Sequence, residues 1–114
     1  MTTVEFFKEK NGSYKGFVCM GHADYAKNFL LHKEPDILCS AISVLVINTL
    51  NALLELAKED IVVQMNEETG FIKCDIRSNL QEKSIFLLDS LVFGLQNLSE
   101  EYGTKYLLVR IKEV

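Results

Sequence analysis

The sequence predicts an α+β fold, a single domain in the order ββαββαβ with a sheet packed against two long helices. Three observations predict it. Two pairs of strand-like runs each bracket a turn containing Asn and Gly, two segments repeat their apolar residues at helical spacing, and a last apolar run follows a glycine stop. At 114 residues the chain has room for one core, so residues 1–114 are read as one domain.

Residues 3–8 and 14–21 are rich in Val, Phe and Tyr and flank Asn11-Gly12, a dipeptide that takes positive φ readily, so they form a hairpin. Phe6 and Phe7 point to opposite faces of their strand, which assigns at least one ring to the core. Residues 24–35 have no clean period and mix charges with aromatics, and are read as a loop able to move. Pro35 keeps Glu34 out of helical geometry, and Asp36 is a favourable N-cap. From Leu38 onward, Ala41, Ile42, Leu45, Thr49, Ala52, Leu53 and Leu56 recur at the spacing of a helix of about five or six turns. A second row, Val46, Ile47, Leu50 and Leu54, is wider than a helix with one wet side needs, so both sides are expected to be covered. Residues 61–65 and 71–76 make a second hairpin around Asn66-Glu67-Glu68-Thr69-Gly70, whose glycine sits where a bulged turn uses one. Ile85, Leu88, Leu91, Val92, Leu95 and Leu98 set out the second helix, Tyr102-Gly103 stops it, and residues 106–111 close the chain as a strand.

Composition narrows the function. Hydrophobic residues make up 48% of the chain and charged residues 25%, enough apolar surface to offset the entropy of folding. A core of this size is small, so association of subunits would stabilise it, and a homodimer is expected. The net charge is -4 and the basic residues are scattered, which gives no footprint for direct nucleic-acid contact and suits a basic protein partner. Three cysteines without a CxxC pair exclude a disulfide framework and a zinc ribbon, and point to reduced thiols in the cytoplasm. The first residues lack the basic and apolar regions of a signal peptide. Uninterrupted apolar runs stay short of the roughly 18 residues a span needs, so no membrane association is expected.

The segment from Gly21 to Ser43 carries the chemistry, because it sets a histidine at the end of a strand and a cysteine in the first turn of a helix. With Asp36 as N-cap, Cys39 is the third helical residue, where free backbone N–H groups and the positive end of the macrodipole favour a thiolate. His22, brought across the strand-loop-helix connection, would complete a nucleophile and base pair for acyl transfer. Taken alone, a cysteine near a helix start also reads as a small apolar filler. Cys19 and Cys74 fall inside strand-like runs and read as buried thiols. His32 with His22, Cys39 and Asp36 matches no zinc spacing, so it is read as solvated, and neither a metal nor a cofactor is implied.

Gly21-His22-Ala23 followed by Asp36-Ile37-Leu38-Cys39-Ser40-Ala41-Ile42-Ser43 resembles the two signatures of the ribosomal-processing cysteine proteases, also described as Prp or YsxB-like proteins. The resemblance extends over essentially the whole chain. It implies a cysteine endopeptidase with Cys39 as nucleophile and His22 as general base and acid. Its substrate would be a basic bacterial large-subunit ribosomal protein, number twenty-seven, which loses a short N-terminal extension. The chain departs from the family at Lys33-Glu34-Pro35-Asp36, where members carry a glycine shortly before the Asp. Three residues are read as support. Gly21 is a loop hinge beside His22 or a plain strand end, Asp36 is a helix cap or an orienter of His22, and Ser43 lies one turn beyond Cys39 on the same face. Two other functions remain open, a ribosome-associated binding module without chemistry on the same scaffold and a thiol redox sensor.

Overall fold

Along Thr2–Lys8 buried and partly buried residues alternate, as a strand with one face in a core requires; this is β1. β2 (Tyr14–Met20) pairs with it antiparallel, Val4 opposite Cys19 and Phe6 opposite Phe17. Their turn is held by Asn11, whose side-chain oxygen accepts from the Ser13 N–H at 2.9 Å. The computed structural model describes residues 1–25 and 36–114. Most of the expected loop, with His32 and the Lys33-Glu34-Pro35 run, lies outside the described residues.

α1 (Ile37–Asn51) begins where the sequence predicts, with Asp36 in extended geometry and its carboxylate accepting from the Cys39 N–H at 2.9 Å. The helix runs on into a π turn, Ala52–Leu56, where the Ala57 N–H reaches five residues back to the Ala52 carbonyl at 2.9 Å. β3 (Ile61–Asn66) and β4 (Phe71–Ile76) form the second hairpin, and α2 (Glu82–Tyr102) and β5 (Leu107–Glu113) complete the chain. The sheet order is β3-β4-β2-β1-β5, with β5 parallel to β1 and every other neighbour antiparallel. Gln81, the N-cap of α2, makes no cap with its own side chain. Its N–H donates instead to the Glu59 carboxylate at 3.0 Å, and its side-chain amide donates to the Ala57 carbonyl at 2.7 Å.

Register puts Val4, Phe6, Phe17, Cys19 and Cys74 on one face of the sheet. There they meet Leu38, Ile42, Val46, Leu50 and Leu53 of α1 with its π turn, and Leu88, Leu91 and Leu95 of α2. Two helices on one side of a five-stranded sheet thus enclose the core, as the α+β reading requires.

The two predicted rows of α1 divide differently from expectation. Val46 and Leu50 belong to the core, whereas Leu56 is 78% exposed, because a π turn advances less per residue and swings Leu56 out of line with Ala52 and Leu53. Nor do the described residues cover the second side of α1. Ile37, Val44, Ile47 and Leu54 form an exposed apolar stripe. Ile37–Leu56 is long and apolar enough to cross a membrane by length and composition, with a mean hydropathy of 2.1 and 39% of the stretch buried. The count of uninterrupted apolar residues missed this because Ser, Thr and Asn break the run without adding charge.

Candidate active site

After Met20 the chain turns at Gly21 with φ +86°, and a Cβ there would stand 2.5 Å from the Met1 carbonyl oxygen. This position therefore takes glycine for its backbone angle and for close packing. The turn delivers His22 to the mouth of a cavity of about 250 Å³, bounded by the first half of α1, the end of β2 and the β3–β4 hairpin. Gly21, His22, Cys39 and Ser43 all line it, and Ile42, Val46, Met65 and Ile72 give it apolar walls. The structure thus brings together four of the five residues singled out in the sequence. Asp36, the fifth, is the cap whose carboxylate holds the Cys39 N–H.

Cys39 is partly exposed, while the other two cysteines are closed off. Cys19 reaches the cavity from β2, and burial, helped by negative charge at Cys39, pushes its thiol up to about 11. Burial and then the Asp75 carboxylate push the Cys74 thiol up to about 12. Neither forms thiolate readily near neutrality, and Cys39 is the cysteine left partly open to the cavity.

His22 is exposed, and its Nε2 lies 3.0 Å from the Glu68 carbonyl oxygen in the β3–β4 turn. A carbonyl can only accept, so the proton of this bond is on Nε2, and in the neutral ring Nδ1 carries the lone pair. Gly70 of the same turn has φ +66°. A Cβ there would stand 2.5 Å from the Gly21 carbonyl oxygen and 3.2 Å from His22 Cε1. Sequence reasoning reads Gly70 only as a turn residue and passes over the Glu68 carbonyl. Among the described residues, no group of three or more His, Cys, Asp or Glu side chains is arranged to hold a metal ion.

A half-open thiol in the first helical turn and an imidazole line the same apolar cleft, the two groups that a cysteine hydrolase uses. Residues 1–107 match the family described as cysteine protease Prp, and the chain belongs to that family. No curated protein matches the sequence. Among solved structures, the chain is similar to the essential ribosomal processing protease Prp of Staphylococcus aureus in complex with a covalently linked product peptide. That match has 21% identity and a TM-score of 0.85, and covers 98% of this chain and 100% of the other. The same S. aureus protease in complex with a substrate peptide matches at 21% identity over 98% and 100% of the two chains, with a TM-score of 0.82. A Streptococcus mutans protein matches at 28% identity over 100% of this chain and 96% of its own, with a TM-score of 0.81.

Proposed function

We propose that this protease removes the N-terminal extension of a bacterial large-subunit ribosomal protein, number twenty-seven, with Cys39 as nucleophile and His22 as general base and acid. The shared cavity of Cys39 and His22 carries the reading. Similarity to a ribosomal processing protease seen with substrate and product peptides supports it. In the first step the Cys39 thiol yields its proton to His22, and sulfur attacks the peptide carbonyl. His22 then protonates the departing amine as the C–N bond breaks, leaving an acyl-thioester on Cys39. Water, deprotonated by His22, hydrolyses the thioester and restores the thiol. The apolar walls from Ile42, Val46, Met65 and Ile72 suit an apolar substrate side chain beside the scissile bond. Backbone N–H groups at the start of α1 would serve a developing oxyanion, with the Cys39 N–H itself engaged by Asp36.

The setting of this activity is the cytoplasm, and the working form is a homodimer formed through the exposed stripe of α1. Gly21 and Ser43 support the dyad by shaping the cavity. Cys39→Ala and His22→Ala are each expected to abolish cleavage of a peptide spanning the ribosomal-protein extension, with circular dichroism and thermal midpoint unchanged. Full activity in either variant overturns the assignment.

A further inference from the structure

We propose that the β3–β4 turn, residues 66–70, is the positioning element of the catalytic histidine: the Glu68 carbonyl selects the tautomer of His22, and the bare Cα of Gly70 makes room for its ring. The proposal rests on the reading of His22 as the general base and adds the group that orients it.

Two independent observations carry it. The first is the hydrogen bond from Nε2–H to the Glu68 carbonyl at 3.0 Å. The bond at one ring nitrogen decides which nitrogen holds the lone pair, and here it reserves Nδ1 for the proton of the Cys39 thiol. When Nδ1 takes that proton the ring becomes an imidazolium, and the Nε2–H bond to the carbonyl strengthens because its donor is now charged. The turn therefore stabilises the ion pair that precedes attack more than it stabilises the resting neutral pair, which is the differential binding catalysis requires. The proton later leaves from Nδ1 to the departing amine, and Nε2 keeps its own throughout.

The second observation is steric. Gly70, at positive φ, turns its bare side to the Gly21 peptide, and a Cβ there would stand 2.5 Å from the Gly21 carbonyl oxygen and 3.2 Å from His22 Cε1. The Gly21 carbonyl has little freedom to retreat, since the Thr2 hydroxyl donates to it at 3.3 Å from the β1 side. A side chain at position 70 must therefore displace the peptide leading into His22, the ring itself, or the turn. The turn is braced internally. The Glu68 N–H donates to the Asn66 side-chain oxygen at 3.1 Å, the Thr69 hydroxyl donates to the Asn66 carbonyl at 3.4 Å, and the Gly70 N–H donates to the Glu67 carbonyl at 3.3 Å. These bonds keep the Glu68 carbonyl aimed at the ring.

The test uses the full chain labelled with ¹⁵N-histidine, with His22→Ala assigning the ring signals, since the chain has two histidines. Wild type is expected to show His22 protonated at Nε2 when neutral. Gly70→Ala is expected to mix the two tautomers and to lower kcat by about tenfold or more with KM unchanged, part of the roughly 10²–10⁴-fold that a positioned general base contributes. Asn66→Ala, which removes the brace on Glu68 and leaves position 70 alone, is expected to act the same way and decides the matter should Gly70→Ala fold poorly. Gly12→Ala is the control for backbone strain, because Gly12 has φ +88° in the other hairpin with open space around it. It should leave tautomer and kcat at wild-type values. An Nδ1-protonated ring in wild type, or unchanged kcat and tautomer in the turn variants while His22→Ala is inactive, overturns the positioning role alone. Retained cleavage in His22→Ala overturns the base assignment and this proposal with it.

Discussion

Cys39, Cys19 and Cys74 share a chemistry and differ in surroundings. Cys74, paired with Phe17 and Val63 across its neighbouring strands, is pushed up to about 12, and Cys19 to about 11, in both cases by burial first. A raised pKa keeps a thiol neutral until pH approaches that value, so at about pH 8 neither supplies appreciable thiolate in the folded chain. Iodoacetamide at that pH is expected to modify Cys39 alone in the native protein and all three cysteines after unfolding, as read by peptide mass spectrometry. Labelling of Cys19 at the rate of Cys39 in folded protein would contradict this picture of the cavity. The sequence singles out His22 and Cys39 because side chains of uncommon types draw the eye, and the fold sets both on one cavity. Glu68 gave no such signal, since its contact with His22 is made by a main-chain carbonyl that every residue carries. Gly70 was legible as a turn glycine, but its clearance for His22 depends on Gly21, far away in sequence and brought near only by the pairing of β4 with β2. The opening of Cys19 into the cavity depends on the same pairing, which sets it opposite Ile72.

α2 is fastened at its first turn by a residue 22 positions earlier, the Glu59 carboxylate accepting from the Gln81 N–H. Burial opposes ionisation of Glu59, yet its pKa ends lowered. The nearby Ser84 hydroxyl, the hydrogen bonds from Gln81 and the charge of Lys83 favour the carboxylate. Ser84 Oγ itself is enclosed and makes no hydrogen bond in its observed rotamer, so the Gln81 bond is the one to rely on. A lowered folded pKa contributes stability that is complete above the unfolded value of about 4.3 and is lost as pH falls through the folded value. Glu59→Gln, which keeps an acceptor oxygen and removes the charge, is expected to cost roughly 0.3–1 kcal/mol at neutral pH, the worth of a negative charge at a helix start. It should also flatten the decline in stability below about pH 5, measured by urea unfolding at several pH values; parallel declines in both proteins would count against the cap. Elements themselves were readable because hydrophobic spacing and turn residues are local: both hairpins, the Asp36 cap and the Gly103 stop fall where spacing puts them. What joins one element to another was not. Glu59 reads as a surface charge, and the π turn that exposes Leu56 leaves no mark on the apolar pattern.

At the scale of the whole molecule, the apolar stripe of α1 is the surface on which the proposed dimer is tested. Val44 is 66% exposed, with Ile37, Ile47 and Leu54 beside it on the outer side of the helix. No charged residue occurs from Ile37 to Leu54, so two such stripes crossing about a two-fold axis bury apolar surface without desolvating an ion. Small domains bury only about two-thirds of the surface their unfolded chains expose, which makes this added burial worth having. The same helix carries Cys39 and Ser43 on its cavity side, and Ile47 both borders the stripe and lines the cavity, so the exposed stripe and the cavity lie on one element. Sedimentation of the wild type at about 10 μM is expected to give twice the chain mass of 13.0 kDa. Val44→Glu, which would set a carboxylate from each copy into the apolar contact, is expected to give the single-chain mass. Monomer at all accessible concentrations would mean the stripe serves another occupant, such as a lipid surface. A dimer indifferent to Val44→Glu would move the interface to Phe86 and Phe93, exposed one above the other along α2.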